Sequence, residues 1–395
     1  MTNSLLEGVR VLDLTRLLPG PHATQLLAQM GAEVIKIEDP DGGDYARSLS
    51  PALFEQVNRG KASVTLDLSV AEDLAAFKVL VADADVVIES FRPGVMERLG
   101  CGYDTLKAIN PRLVYAALTG YGQTGPLADA AGHDLNYLAL AGVLDQNGTA
   151  GGAPAISNVQ IADLAGGALT CAVGVLAAVI GARASGQGAF VDAAMLDGSL
   201  ALQPVAMATL NGLGVTQPRG ADMLTGALPN YRVYKCRDGR YLAVGALEPK
   251  FFGRLLARVA PPGFGGGRRG ASTGGGGSSR QATAGRLGGW RARMRDALAD
   301  PRRARIATRP LHWGLAALFR TRPRDAWVAL LADVDACTTP VLTLDEALAQ
   351  AHVRARGLVE DGAVGCPLRF DGGARAALGA PPALGADNAH WLGRR

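Results

Sequence analysis

Over the first 120 residues, short β-rich runs take turns with amphipathic stretches of helical length, and this alternation leaves few folds open. Gly8–Leu14, Ala32–Glu38, Ser63–Leu68, Asp85–Glu89 and Leu113–Leu118 read as strands. Pro21–Met30 reads as a helix, with Pro21 in its first turn and Gly31 as its stop, and Val70–Ala82 as another. Strands alternating with helices of this length predict an α/β fold with a mostly parallel, doubly wound sheet. Such sheets bind ligands beyond the carboxyl ends of their strands. Those ends here are Leu14–Gly20, Ile37–Gly43, Ser90–Gly94 and Thr119–Gly125.

The pattern changes after Asp163. The apolar stretch Leu164–Ala182 has the length of a membrane span, but its polar entry at Asp163 and its single occurrence favour a buried core helix. A strand at Gln187–Asp192 and a helix near Met195–Leu210 follow. Tyr231–Cys236 and Tyr241–Ala246, joined through Asp238-Gly239, predict a hairpin that opens a second domain. Pro261 to about Gly289 is low in complexity and reads as a flexible linker. Helical periodicity returns at Asp325, then come Thr338–Leu342 and a helix over Leu344–Ala351. The expected organisation is a large domain over 1–215, a small domain over 216–330 and a return to the large domain over 331–395.

Charge narrows the function classes. Lys and Arg number 40 against 36 Asp and Glu, a net charge of +4. Arg268–Arg324 alone holds 14 Arg, no Lys and two acids, so it carries 14 − 2 = +12 and the remainder 4 − 12 = −8. The basic balance belongs to one stretch with little aromatic interleaving, which reads as a solvated surface and not as a nucleic-acid site. Five scattered Cys show no metal or disulfide spacing, and the N-terminal residues lack the pattern of a signal peptide. A cytoplasmic protein without nucleic-acid or membrane partners is expected. Gly120–Gly125 matches GxGxxG, but Pro126 follows at once and no helix opens there, so no nicotinamide dinucleotide is expected.

Three residues stand out as chemistry. His133 lies in a polar island, Ala131–Tyr137, where Gly132 permits close approach and Asp134 and Asn136 can cap a helix. Asp163 could be a plain N-cap. That role leaves Gly166-Gly167 unexplained, because glycines inside a helix cost stability unless a ligand or another backbone comes close. Glu248 follows a hairpin strand and could orient a His. Asn58, Arg59 and Lys61, and Arg92, stand in loops that bound predicted strands; with Lys36 and Arg16 they could form a phosphate-binding rim or be a scattered set of solvated cations.

Together these motifs resemble the family III CoA-transferases, and among them most nearly the α-methylacyl-CoA racemases. The resemblance runs through Leu6–Leu14, Pro19–Ala23, Leu27–Glu38, Asn58–Lys61, Glu89–Val95, Leu118–Pro126 and Ala131–Tyr137. It continues through Asp163, Gly188–Met195, Asp238–Gly245, Glu248 and Cys337–Val341. It implies a Rossmann-like large domain, a smaller α+β domain and an interlocked homodimer. The implied substrate is an acyl-CoA thioester, with no cofactor beyond the coenzyme A that it carries and no metal. Asp163 and His133 are implied as the two proton carriers of a 1,1-proton transfer through an enolate, with Glu248 orienting His133. N–H donors for the enolate oxygen are expected from the glycine-rich helix start. Arg16, Lys36, Asn58, Arg59, Lys61, Arg92, Gly132 and Tyr137 are implied as the set that binds the thioester. Two other readings stay open: a CoA-transferase with Asp163 as nucleophile, and a CoA-thioester-binding protein without catalysis. Gly263 to about Arg322 departs from the family pattern, as a frame disruption or a native insertion would, and folding of the small domain is in question there.

Overall fold

Six parallel strands form the sheet that the alternation predicts. They are β1 (Arg10–Leu14), β2 (Glu33–Glu38), β3 (Ala62–Thr65), β4 (Val86–Glu89), β5 (Val114–Thr119) and β6 (Phe190–Ala194), in the order β3-β2-β1-β4-β5-β6. The order turns back between β1 and β4, which places a ligand crevice at their carboxyl ends. The structure is a computed structural model that describes residues 4–259, 301–360, 362–371 and 379–393. It divides into a large unit (1–145, 156–204 and 348–395) and a small unit (146–155 and 205–347). The longer segment of the small unit, Val205–Ala347, contains the stretch 216–330 expected as the small domain.

Helices cover both faces of the sheet. Val11, Val34, Val86, Ile88, Val114 and Ala116 pack beneath α1 (Pro19–Gln29) and the long helix that ends in α5 (Thr170–Ser185). Their neighbours Leu12, Ile35, Val87 and Tyr115 face α2 (Ala71–Ala82) and α3 (Tyr103–Ile109). Side chains alternate across a strand, so a sheet covered on both faces has apolar residues at successive positions. Each fully buried aliphatic side chain contributes about 1.5–3 kcal/mol.

Ala162–Leu169 is a π-helix that runs directly into α5. It follows α4 (Asp134–Leu140) in the chain. Along the long helix, Cys171, Val175, Val179 and Ala182 form a buried stripe, while Leu169, Val173 and Ile180 are exposed. The expected buried core helix is thus buried along one face only. Among the described residues it is also the one helix long and apolar enough to cross a membrane. After β6 the expected single helix is two, α6 (Met195–Ala201) and α7 (Pro204–Leu213), because Pro204 has no N–H to continue the ladder. At the C-terminus, α12 (Asn388–Leu392) caps the sheet edge. Asp387 Oδ2 accepts from the Ser63 N–H at 2.8 Å and Asn388 Oδ1 from the Thr65 N–H at 2.9 Å, closing an otherwise open strand.

The small unit holds the expected hairpin, β7 (Tyr231–Lys235) against β8 (Tyr241–Gly245), extended by β9 (Thr338–Pro340). Gly239 takes φ +82° at its turn. The core joins Tyr234, Leu242 and Val244 to Phe252 and Leu255 of α8 (Pro249–Val259). Leu315 and Phe319 of α9 (Pro301–Phe319) and Trp327 of α10 (Arg324–Leu331) complete it. The α9 helix corrects the expectation for the second half of the Arg-rich stretch. Leu311, Leu315 and Phe319 recur every four residues and face the core, a stripe that the density of arginine obscures. The Pro261–Gly289 linker reading and the first half of the anomalous stretch fall in 260–300, outside the described residues. Just after α9, the buried Arg324 side chain pairs at 3.0 Å with Glu346 of α11 (Leu344–Ala349).

Candidate active site

A cavity of about 720 Å³ opens in the large unit beyond the carboxyl ends of β1, β4 and β5. Its walls are Arg16–Pro19, Tyr45, Ser90–Pro93, Leu118–Tyr121, Ala128, Ala130–His133, Asn136, Tyr137, Asp163 and Met195. Cavities of this size hold small molecules.

The wall after β5 depends on glycine. A Cβ on Gly120 would lie 2.4 Å from the Tyr137 ring, and one on Gly132 would lie 2.6 Å from the Tyr121 hydroxyl. The two tyrosine rings meet edge to face with centroids 5.1 Å apart. The Tyr137 hydroxyl donates to the Gly132 carbonyl at 2.5 Å. The Gly120–Gly125 match therefore puts Gly120 and Tyr121 on the cavity wall and opens no helix at Pro126. The next helix in that part of the chain is α4, opening at Asp134.

His133 caps α4 in extended conformation, and its N–H donates to Asn136 Oδ1 at 3.1 Å. Asn136 thus holds the backbone of His133, while the imidazole is exposed on the cavity wall. Asp134, the next residue, reaches elsewhere. Its Oδ1 accepts from the Ala162 N–H at 2.7 Å and the Asp163 N–H at 3.1 Å. Asp134 supplies the cap for the helix of Asp163, so the N-cap role considered for Asp163 is filled by another residue. The Asp163 carboxyl faces the cavity, and burial followed by the charge of Asp134 pushes it up to about 7.

The Gly166-Gly167 pair has a packing cause. A Cβ on Gly166 would lie 2.7 Å from Ser199 Oγ and 2.9 Å from the Met195 carbonyl, and one on Gly198 would lie 1.9 Å from the Gly166 carbonyl. The glycines let the π-helix and α6 touch backbone to backbone. The start of this helix does not supply the expected enolate donors. Asp134 takes the N–H groups of Ala162 and Asp163, and the Gln160 carbonyl takes that of Leu164 at 2.9 Å.

The expected cationic rim divides. Arg16 and Arg92 line the cavity. The Arg16 guanidinium donates to the Tyr45 hydroxyl at 2.7 Å and lies 4.8 Å and 5.1 Å from the ring centres of Tyr45 and Phe91. Lys36, Asn58 and Lys61 are buried and belong to no rim. Lys36 Nζ meets Asp44 Oδ2 at 2.9 Å and the Thr15 carbonyl at 2.7 Å. Lys61 Nζ meets Asp13 Oδ2 at 3.0 Å, Asn58 Oδ1 at 2.7 Å and Thr24 Oγ1 at 2.7 Å. Burial opposes ionisation of Asp13, but Lys36, Lys61 and the hydroxyls of Thr15 and Thr24 outweigh it and hold its carboxyl below the usual range. Lys36 thus joins β2 to the loops after β1 and β2, and Lys61, just before β3, is tied to β1 and α1. Arg59 is half-buried after the helix Pro51–Asn58 and does not line the cavity.

Glu248 belongs to the small unit. Its side chain is exposed, and its carbonyl accepts the Phe251 and Phe252 N–H groups at 3.1 and 3.2 Å as α8 begins. Sequence reasoning missed Leu17, a cavity residue held at φ +65° with its N–H on Asp44 Oδ1 at 2.9 Å. It also missed the long-range cap by Asp134. No local signal marks the first; the second is foreshadowed only by an acid directly after His133.

Known proteins resemble the chain along most of its length. The CoA-transferase family III profile matches residues 6–388. An alpha-methylacyl-CoA racemase of Mus musculus is 35% identical over 360 residues, which is 91% of this chain and 83% of that protein. A succinate–glutarate CoA-transferase of Agrobacterium fabrum is 39% identical over 257 residues, 61% of this chain and 63% of that protein. The crystal structure of a CaiB/BaiF family protein from Brucella suis superposes with a TM-score of 0.80 at 28% identity, covering 99% of each chain.

Proposed function

Because this chain belongs to CoA-transferase family III, we propose that it is a cofactor-independent racemase of 2-methylacyl-CoA thioesters. The carrying observation is that His133 and Asp163, from separate segments, line one cavity. A thioester α-proton is weakly acidic. Two groups on opposite faces of the α-carbon let one remove the proton and the other return it, and they exchange roles with direction. An acid near 7 at Asp163 suits that work, because a proton carrier is most effective with its pKa close to the operating pH. Arg16 and Arg92 supply positive charge on the cavity wall for the phosphates of coenzyme A, with Gly132 and Tyr137 shaping the wall beside the thioester. In this reading Glu248 keeps the orienting role toward His133 that the family resemblance gives it.

The succinate–glutarate CoA-transferase similarity favours the second reading. There Asp163 would attack the thioester carbonyl, release the CoA thiolate and carry the acyl group as a mixed anhydride. Hydroxylamine intercepts such an anhydride, and peptide mass spectrometry locates the adduct. With 2-methylacyl-CoA present, no Asp163 adduct is expected, and an Asp163-specific adduct would replace the racemase reading with the transferase.

A homodimer is part of the same proposal. Its support is the apolar face of the long helix that is exposed among the described residues, Leu169, Val173 and Ile180, with Leu200 and Leu202 also exposed. Sedimentation at the mass of two chains is expected, and the mass of one chain at micromolar concentration contradicts it.

A further inference from the structure

We propose that Asp134 is the positioning residue for Asp163: its carboxylate ties down the first turn of the helix that bears Asp163 and places a negative charge beside the proton-carrying Asp163 carboxyl. The use of that proton rests on the racemase reading above; the geometry does not.

Asp134 Oδ1 binds two successive backbone N–H groups, at 2.7 and 3.1 Å, and the second is that of Asp163 itself. Capping alone does not call for an acid. Asn and Ser cap as well as Asp does. What Asp adds is a negative charge beside a second carboxyl, and two such groups resist ionising together. The other ionisable groups on the cavity wall are Arg16, Tyr45, Arg92, Tyr121, His133 and Tyr137. Arg16 is engaged with Tyr45 and Phe91. Tyr137 feels the same field: burial first, then the charges of Asp163, Tyr121 and Asp134, push its hydroxyl up to about 12. Asp163 itself stands at about 7, with burial and Asp134 as the causes. An aspartate in its ordinary range would hold a proton in only about one molecule per thousand at pH 7. Asp134 also directly follows His133 in the chain, so one residue joins the backbones that bear both proton carriers.

Carbon-13 NMR of protein labelled at the aspartate carboxyls reads the titration without substrate, with Asp163→Asn to assign the signal. The wild-type midpoint is expected near neutral pH. In Asp134→Asn it should fall by about one pH unit or more, with the thermal midpoint unchanged, since Asn accepts the same two N–H groups. Asp134→Ser, a second neutral cap, should give the same fall. The matching limb of the pH profile for α-proton exchange should move with it. A midpoint that stays put in either folded variant overturns the proposal, whether or not the enzyme exchanges protons. Unfolding of both variants also overturns it, because neutral caps would then not hold the helix. A shifted midpoint with no exchange in the wild type upholds Asp134 and removes the racemase reading instead.

Discussion

Asp163→Asn is expected to slow α-proton exchange from one enantiomer of a 2-methylacyl-CoA by about 10³-fold, within the range that general acid–base groups contribute. Exchange from the other enantiomer should fall less, and His133→Ala should show the opposite bias. Each side chain serves one face of the α-carbon. The surviving group can still abstract from its own face and return a solvent-derived proton to it, so exchange without inversion persists there. Racemisation, which needs both faces, should be lost in both variants. Proton NMR in deuterated water, run on each enantiomer separately, measures the bias. Equal residual exchange from both enantiomers in either variant would count against two bases on two faces.

Asp13→Ala is expected to cost about 3–5 kcal/mol of stability, because it strands a buried ammonium without its carboxylate. Lys61 and Asp13 side chains both have 0% exposure, and their contact is 3.0 Å. Thr24, Asn58 and the Pro21 carbonyl also bond Lys61 Nζ, but none carries charge to neutralise it. The Arg254–Asp335 pair is the contrast. Its 2.7 Å contact is shorter, yet its side chains are 50% and 73% exposed, and removing it should change stability by less than about 1 kcal/mol. Urea denaturation of the two variants tests the ordering. A loss at Asp13→Ala no larger than that at Arg254→Ala would mean that the buried network does not hold the strand ends.

Much of the large unit is legible in the sequence because its strands are buried on both faces. Runs such as Val86–Ile88 have no solvent face to conceal, and α1 stops before Gly31 and α3 before Pro111. The same logic misleads for Lys36 and Lys61. A lysine inside Ile-Lys-Ile reads as a charge leaving the sheet, and its partner Asp44 comes from the loop beyond the strand. Lys61 meets Asp13 across 48 positions of chain. Local patterning cannot show such pairs. α9 is misread for a related reason: net charge sums over all faces of a helix, whereas packing depends on the stripe Leu311, Leu315 and Phe319 alone.

The candidate site was legible only in part. His133 and Asp163 were each visible as polar residues in glycine-rich settings, and their placement on one cavity followed from family resemblance, not from spacing. The Asp134 bridge spans 28 and 29 positions to Ala162 and Asp163. Both of its ends lie in the one long connection between β5 and β6, whereas Gly166 of that connection meets Gly198 from beyond β6, and neither contact leaves a local pattern. Nothing in Gly166-Gly167 itself distinguishes a ligand from a neighbouring helix.

The most direct measurement takes one enantiomer of a 2-methylacyl-CoA, the wild-type protein and deuterated water, and follows the α-position by proton NMR and chiral separation. The expected result is loss of the α-proton signal together with appearance of the opposite enantiomer, both requiring His133 and Asp163. Retention of the α-proton, with transfer of CoA to an added carboxylic acid, would contradict it.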